Sequence, residues 1–589
     1  MAGLPVRCND LFPGFVTPLR HCRKFLLSIA KLEWKINANL VQLPDGHGHG
    51  RLLFVDPFSI FFCFQISLIA TGSLPEVMTG PGCSKRCLAG PSRFPLRSGL
   101  PGRHVIGDHR REAIPFFLVQ PKDPMSTDAY DVVVIGGGPG GYTAAIRAAQ
   151  LGMRTGIIEK DRLGGICLNW GCIPTKALLK NAEILHLFKK SAEWGITYEN
   201  LQVDFSKIIQ RSRGIADRIS KGVGFLMKKN KIDHISGHAR LTGDRGIEVT
   251  GSDGKKRSVN ASHIIVATGA RPRSVPGVTI DRKHVITSSE AMSLATRPES
   301  MVIVGAGAIG IEFAYFYNSL GTKVTVVEML PTILPVEDRE ITKLMETSLR
   351  KQGIEILTGT RVEKISTGAS GVTVEVSSPD GKKSLAGTVA LMAVGVQGNV
   401  EDLGLEKAGV TVEKGHIKVD QHYRTTAKGV YAIGDVIGAP WLAHVASAEG
   451  IHCVESIAGK NPEEIDYLSI PGCTYCQPQV ASVGLTEEEA AEQGYAVKVG
   501  KFPFRPLGKA VAIGETEGMV KLIFDAKYGE LLGAHIMGSE ATEMIAELAV
   551  AKRLEATGRE LYGTVHAHPT LSEAVMEAAA AAYGEAINI

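Results

Sequence analysis

The sequence predicts an α/β protein built on two Rossmann-like dinucleotide-binding folds. A glycine pattern, GxGxxG, occurs twice, each time between an apolar strand and a helix, and an acidic residue follows both copies at the same distance. Composition agrees: 66 glycines, 6% aromatic residues and 44% hydrophobic residues in a chain of 589 fit several cores joined by tight turns. The net charge of +4 is small for this length and gives no support for nucleic-acid binding.

Residues 1–124 are a different kind of sequence. They hold 15 Lys and Arg against 8 Asp and Glu, with 13 of the 28 prolines and 5 of the 10 cysteines. Their longest apolar run is broken by Asp56 and Pro57, and the stretch from Phe58 to Ala70 falls short of the roughly 20 residues a bilayer span takes. No basic start leading directly into an apolar stretch marks a secretory signal. A well-formed domain opens at Met125 with "MSTDAYDVVVIGG". The expectation is an N-terminal extension outside the fold, arising from a start placed too early, and a cytoplasmic protein with no membrane partner. Acids are scarce in this segment, so the alternative is a genuine transit segment and an organelle matrix.

The first motif, "DVVVIGGGPGGYTAAIRAAQLGMRTGIIEK", reads strand, glycine turn, helix, strand. Gly136 suits the tight turn, Gly138 lets backbone approach a pyrophosphate, and Gly141 lets helix pack on strand. The helix start offers free N–H groups to phosphate. Glu159, 23 residues after Gly136, ends the second strand, where a carboxylate can accept ribose hydroxyls. The second motif repeats the arrangement with Gly305, Gly307 and Gly310, and Glu328 again lies 23 residues on. Glu328 would repel a ribose 2′-phosphate and the following "MLPTILP" has no arginine to receive one, so this site is expected to take NAD. For the first site the pointer is "GVYAIGDV", an apolar strand ending in Gly434 and Asp435, whose carboxylate could bind the ribitol of FAD.

Between the motifs, "GGICLNWGCIPTK" holds Cys167 and Cys172. A structural disulfide, half of a metal site and a redox centre all compete here.

The two nucleotide motifs, this cysteine segment, "VATGARP", "GVYAIGDV" and "HAHPTLSE" together resemble the two-cysteine flavin disulfide reductases over about residues 128 to 583. The resemblance implies domains at 125–271 (FAD-binding, including Gly269), 272–395 (NAD-binding), 396–466 (a central segment completing the FAD site) and 467–589 (a C-terminal α+β dimerisation domain). Against a metal stand the spacing and the lack of a second nearby pair; against a structural disulfide stands the lack of an export signal. In a regular helix, Cα atoms five apart lie roughly 8–9 Å from one another, whereas a disulfide needs about 4.4–6.8 Å. A helix here must be distorted, and a strained disulfide is easier to reduce. Gly164, Gly165, Gly171 and Pro174 are residues that permit such distortion.

By resemblance, Cys167 exchanges with substrate and Cys172 lies against the flavin as a thiolate. Lys176 pairs with Glu312 beside the ring, and His568, oriented by Glu573, serves as acid–base in the neighbouring subunit's site. Thr570 and Glu573 also fit a capping box, so a purely structural Glu573 stays open. The implied activity is oxidation of protein-bound dihydrolipoamide by NAD⁺ through FAD, in a homodimer serving 2-oxoacid dehydrogenase or glycine-cleavage complexes. The alternative is a related reductase with another disulfide substrate. Two segments depart from the family pattern, "AVGVQGN" at 393–399 and "PGCTYCQPQVA" at 471–481. Both are expected to leave the chemistry untouched, with Cys473 and Cys476 a packed, non-catalytic pair.

Overall fold

The computed structural model describes residues 129–589 and, before them, one antiparallel pairing of Val41–Gln42 with Leu52–Leu53. Other expectations for residues 1–124 fall outside the described residues. The chain divides into two compact units, Met1–Phe117 and Leu118–Ile589, and the second holds both nucleotide motifs and the cysteine pair.

Its first sheet is built on Ala129–Ile135 (β1), Thr155–Glu159 (β2), Asp233–Ser236 (β3) and Lys256–Val266 (β6), parallel in the order β3–β2–β1–β6. β1 at the centre is covered on both faces, which is why it reads as an unbroken apolar run with Val132, Val133 and Val134 fully buried. β6 is long enough to serve two neighbours. Its first half pairs antiparallel with Gly246–Thr250 (β5), which leads on to His238–Gly243 (β4). The helices are Pro139–Gln150 (α1), Gly165–Trp170 (α2), Cys172–Lys189 (α3) and Phe205–Lys229 (α4).

A second, wholly parallel sheet comes next: Val285–Ile286 (β7), Ser300–Val304 (β8), Lys323–Val327 (β9), Glu355–Leu357 (β10) and Val389–Met392 (β11), in the order β7–β11–β8–β9–β10. Ala308–Ser319 (α5) links β8 to β9, and its residues from Gly310 to Tyr317 are all buried. A three-stranded antiparallel layer, Arg361–Gly368, Gly371–Ser378 and Gly381–Gly387, lies between β10 and β11 in the chain.

The chain then returns to the first sheet. Val430–Ala432 (β12) pairs parallel with the second half of β6. Ala443–Ile457 (α6) packs on α1 at a crossing only glycines allow: a Cβ on Gly140 would sit 2.9 Å from the Ala446 carbonyl, and one on Gly450 2.8 Å from that of Gly140.

The C-terminal part is a five-stranded antiparallel sheet of Gly472–Thr474 (β13), Gln479–Gly484 (β14), Val497–Pro503 (β15), Met519–Asp525 (β16) and Leu531–Gly538 (β17), with helices Ala541–Arg553 (α7) and Glu573–Ala581 (α8). One apolar cluster runs from α3 through α5 to Cys476, Val480, Met519 and Met537, so this sheet shares its core with the second nucleotide fold. A buried ion cluster holds the same join. Lys521 Nζ on β16 lies 2.8 Å from Asp338 Oδ2, 2.7 Å from Glu487 Oε2 and 3.4 Å from Glu340 Oε2. Burial works against the Asp338 charge, but the hydrogen bond and charge of Lys521 hold its carboxyl below the ordinary range.

Removing one partner of such a pair strands the other away from water. Lys521→Met is expected to destabilise the fold by about 3 kcal/mol, read as a lowered unfolding midpoint. The Asp338 contribution is present above the ordinary carboxylate pKa and disappears as pH falls through the depressed folded value, so the wild type should lose its advantage over the variant in acid.

Candidate functional site

The two glycine turns are near-copies. Gly136 N–H donates to the Ile158 carbonyl and Gly305 N–H to that of Val327, both at 2.8 Å. A Cβ on Gly141 would lie 1.9 Å from the Gly136 oxygen, and one on Gly310 2.0 Å from the Gly305 oxygen, so the third glycine of each motif is demanded by packing. The second is not. A Cβ on Gly138 would approach nothing nearer than 3.9 Å, and one on Gly307 nothing within 4 Å. Those positions face open space at the starts of α1 and α5, neither of which has a side-chain cap. Unsatisfied N–H groups beside an uncluttered glycine suit a pyrophosphate.

The acidic residues match as well. Glu159 accepts from Gly137 N–H at 2.7 Å and Asp161 N–H at 2.8 Å; Glu328 accepts from Ala306 N–H at 2.7 Å and Leu330 N–H at 2.8 Å. Each carboxylate is thus fixed at its turn, and each oxygen retains a lone pair for a ribose hydroxyl. Glu328 is buried rather than solvated.

Asp435 lies in the short 3₁₀ turn Gly434–Ile437 after β12, where burial pushes its carboxyl up, and its side chain accepts no hydrogen bond from another described residue. An acid withdrawn from water, with no donor from any other described residue, fits a cofactor hydroxyl. The turn is held by Glu449 on α6, which accepts Gly434 N–H at 2.6 Å and the Tyr467 hydroxyl at 2.8 Å. Neither Glu449 nor Tyr467 carries a motif that would have marked it in the sequence. Gly269, in the loop after β6, has φ +67° and open space at its Cβ, and its carbonyl accepts Asn399 N–H at 2.9 Å. Asn399 belongs to the departing segment at 393–399, and its side chain also donates to the Thr268 carbonyl.

The expected distortion lies between the cysteines. α2 ends at Trp170, Gly171 adopts φ −150° and ψ −116°, and α3 begins at Cys172. A Cβ on Gly171 would meet the Ile166 oxygen at 3.0 Å and Cys167 Cα at 3.4 Å, so the tight turn needs glycine. The surroundings brace it: Asn169 donates to the Leu163 and Gly165 carbonyls, Thr175 Oγ1 to Gly171, and Ser212 and Ser220 of α4 to Pro174 and Leu163.

The Cys167 thiol hydrogen-bonds to the Cys172 sulfur. That bond is the main reason the pair splits. It pushes Cys167 far up, with burial and the Cys172 charge adding to it. It lowers Cys172 to about 7, with help from Lys176 against the effect of burial. Lys176 Nζ in turn lies 2.9 and 3.0 Å from the two oxygens of Glu312, which is almost wholly buried on α5. Four of the expected site residues therefore meet at one place.

His568 and Glu573 meet elsewhere. His568 Nδ1 is 2.8 Å from Glu573 Oε1, while Glu573 Oε2 accepts Thr570 N–H at 2.9 Å. Burial opposes the Glu573 charge, but these two bonds hold its carboxyl low. Glu573 orients the ring and braces the start of α8 at once, although the helix cap is Ser572 and Thr570 Oγ1 turns to Ala567 instead. The imidazole is largely exposed, and among the described residues its one hydrogen bond is to Glu573, not to Cys167 of its own chain. His566 ties the segment to α7 through Glu547 at 2.7 Å.

One expectation is corrected. The segment at 471–481 does reach this chemistry: the Tyr475 ring covers Lys176 Nζ at 4.2 Å and Tyr475 N–H donates to Glu312 Oε1 at 3.0 Å. A contact spanning 163 positions leaves no local pattern to read. Cys473 and Cys476 are both free; Cys476 packs in the core shared with the second fold and Cys473 against the C-terminal core.

Two dinucleotide folds, a thiol pair backed by a lysine and an antiparallel C-terminal sheet define a flavin-type disulfide reductase, and the chain belongs to the pyridine nucleotide-disulphide oxidoreductase family, which matches residues 130–450, with the family's dimerisation domain at 470–579. The chain is 50% identical to the dihydrolipoyl dehydrogenase of Rhizobium etli, over 78% of this chain and 99% of that one, and 44% identical to that of Bacillus subtilis, over 79% and 100%. Among solved structures it is similar to LpdA from Mycobacterium tuberculosis (TM-score 0.72, 28% identity, 76% of this chain and 98% of that one). It is likewise similar to the HOCl-induced flavoprotein disulfide reductase RclA from Escherichia coli (TM-score 0.69, 29% identity, 77% and 99%). No described helix is long and apolar enough to cross a membrane.

The two kinds of glycine should separate on mutation. Gly310→Ala is expected to lower the unfolding temperature, because its methyl must displace backbone, at a cost of roughly 1–3 kcal/mol. Gly307→Ala should leave that temperature in place and weaken NAD⁺ binding, measured by titration calorimetry.

Proposed function

We propose that the chain oxidises protein-bound dihydrolipoamide to lipoamide with NAD⁺, through FAD and the Cys167–Cys172 pair. The observation that carries this reading is the placement of the pair: Cys167 and Cys172 flank the break at Gly171, and the Lys176–Glu312 ion pair stands beside them, where the lysine lowers Cys172. Identity of 44–50% to dihydrolipoyl dehydrogenases over nearly their full length supports the substrate. FAD belongs to the fold opened by Gly136, Gly138 and Gly141, with Glu159, Gly269 and Asp435, and NAD to that of Gly305, Gly307, Gly310 and Glu328. The working divisions are 125–271, 272–395, 396–466 and 467–589. The dimerisation domain supports a homodimer, in which His568 of the partner subunit faces Cys167. The lipoyl-bearing partners would be 2-oxoacid dehydrogenase or glycine-cleavage proteins, in the cytoplasm.

The residues act in sequence. His568, its ring held by Glu573, takes the proton of one substrate thiol at Nε2. The resulting thiolate attacks Cys167 of the oxidised pair; the substrate–Cys167 bond forms, the Cys167–Cys172 bond breaks, and Cys172 leaves as a thiolate that Lys176 stabilises. The second substrate thiol then attacks its own mixed disulfide, closing lipoamide and expelling Cys167, which receives that thiol's proton. The pair is left as Cys167 thiol and Cys172 thiolate, the protonation that the hydrogen bond between the sulfurs favours. FAD, when bound, supplies the two-electron acceptor between this dithiol and NAD⁺.

Protein starting at Met125 is expected to reduce NAD⁺ with dihydrolipoamide, and Cys167→Ser to abolish this while keeping its flavin. Flavin-loaded wild type that ignores dihydrolipoamide would overturn the substrate. His568→Gln should lower kcat by roughly 10²–10⁴-fold, the usual scale for general acid–base catalysis. In stopped-flow measurements its loss should fall on reduction by dihydrolipoamide and spare reduction by NADH.

A further inference from the structure

Lys176 has four rotatable bonds and a side chain only partly withdrawn from water, yet it must hold a charge near one sulfur. Glu312 restrains it from one side. On another side stands Tyr475, from the loop after β13: its ring face lies 4.2 Å from Nζ, and its N–H donates to the same Glu312 oxygen that Lys176 approaches most closely. The ring's other restraint is local: Tyr475 lies two residues from Cys473, whose thiol burial pushes up to about 11 and so keeps protonated. Burial also raises the Tyr475 phenol, so the ring stays neutral over the lysine.

We propose that Tyr475 is a positioning residue for the redox pair, its aromatic face confining the Lys176 ammonium where it stabilises the Cys172 thiolate. The inference rests on the reading of Cys172 as the flavin-side thiolate. The titratable groups acting on Cys172 are Cys167 from α2, Lys176 from α3 and Glu312 from α5; Tyr475 from the loop touches the last two, so it acts through the lysine and its carboxylate. An aliphatic side chain at 475 fills the space but offers no negative face, which leaves the ammonium free to leave Glu312 for water. A phenylalanine keeps the face and loses only the hydroxyl.

The test is the pH titration of the long-wavelength charge-transfer absorbance of the two-electron-reduced, FAD-loaded enzyme. Tyr475→Leu is expected to move its midpoint upward by about half a pH unit, the scale of one partly exposed cation–π contact, and Tyr475→Phe to leave it where the wild type has it. A midpoint unmoved in Tyr475→Leu would overturn the inference. So would an equal shift in Tyr475→Phe, which would assign the effect to the hydroxyl. If Tyr475→Leu loses its flavin, trifluorophenylalanine in place of Tyr475 keeps the shape and weakens the face, and decides the point by the same criterion. Cys172→Ser separates the two proposals. An absorbance that survives it removes the underlying reading of Cys172, whereas one that needs Cys172 but ignores residue 475 removes Tyr475 alone.

Discussion

A carboxylate with almost no access to water holds the working parts of this chain together. Glu312 sits on the helix that opens the second nucleotide fold, where an unpaired charge would cost several kcal/mol. It is matched by an ammonium from the helix that carries Cys172 and by a backbone N–H from the C-terminal sheet's first loop. Three parts of the polypeptide thus satisfy one charge. Breaking any of these contacts leaves the others uncompensated, so the geometry of the thiol pair is coupled to the packing of the whole unit.

The two nucleotide folds illustrate how closely physics constrains a repeated motif. Four hydrogen bonds from backbone to the paired glutamates differ by no more than 0.1 Å within or between the copies. The glycines nonetheless answer to different demands. Gly141 and Gly310 are required by the protein's own backbone, whereas at Gly138 and Gly307 the chain itself leaves room for a side chain. A motif written as one pattern is two constraints superposed.

Most of the fold and site is legible in the sequence because it is local. The glycine turns, the terminal acids, the broken helix at Gly171 and the His568–Glu573 pair each lie within about 25 positions of their partners, where spacing encodes geometry. Lys176 and Glu312 are 136 positions apart, and only family resemblance brings them together in advance. Tyr475 gives no such sign, because nothing in its own segment says where the loop lands. Glu449 and Tyr467, which hold the Asp435 turn, and the Lys521–Asp338 cluster, 183 positions apart, are hidden for the same reason. Buried charge is satisfied in three dimensions, and no periodicity records it.

The return of β12 and α6 to the first sheet has a consequence for synthesis. On the ribosome, β6 is complete at Val266, but the strand that covers its second half ends at Ala432 and the helix that crosses α1 ends at Ile457. At a usual 5–20 residues per second, that gap is roughly 10–40 s of translation. Throughout it the edge of β6 and the glycine face of α1 are without their partners, while the parallel sheet encoded in between can be completed. The earlier fold in the sequence is therefore the later one to close: the nascent chain must keep an apolar strand edge from pairing elsewhere until residue 432 has emerged, and a helix face bare until residue 457 has.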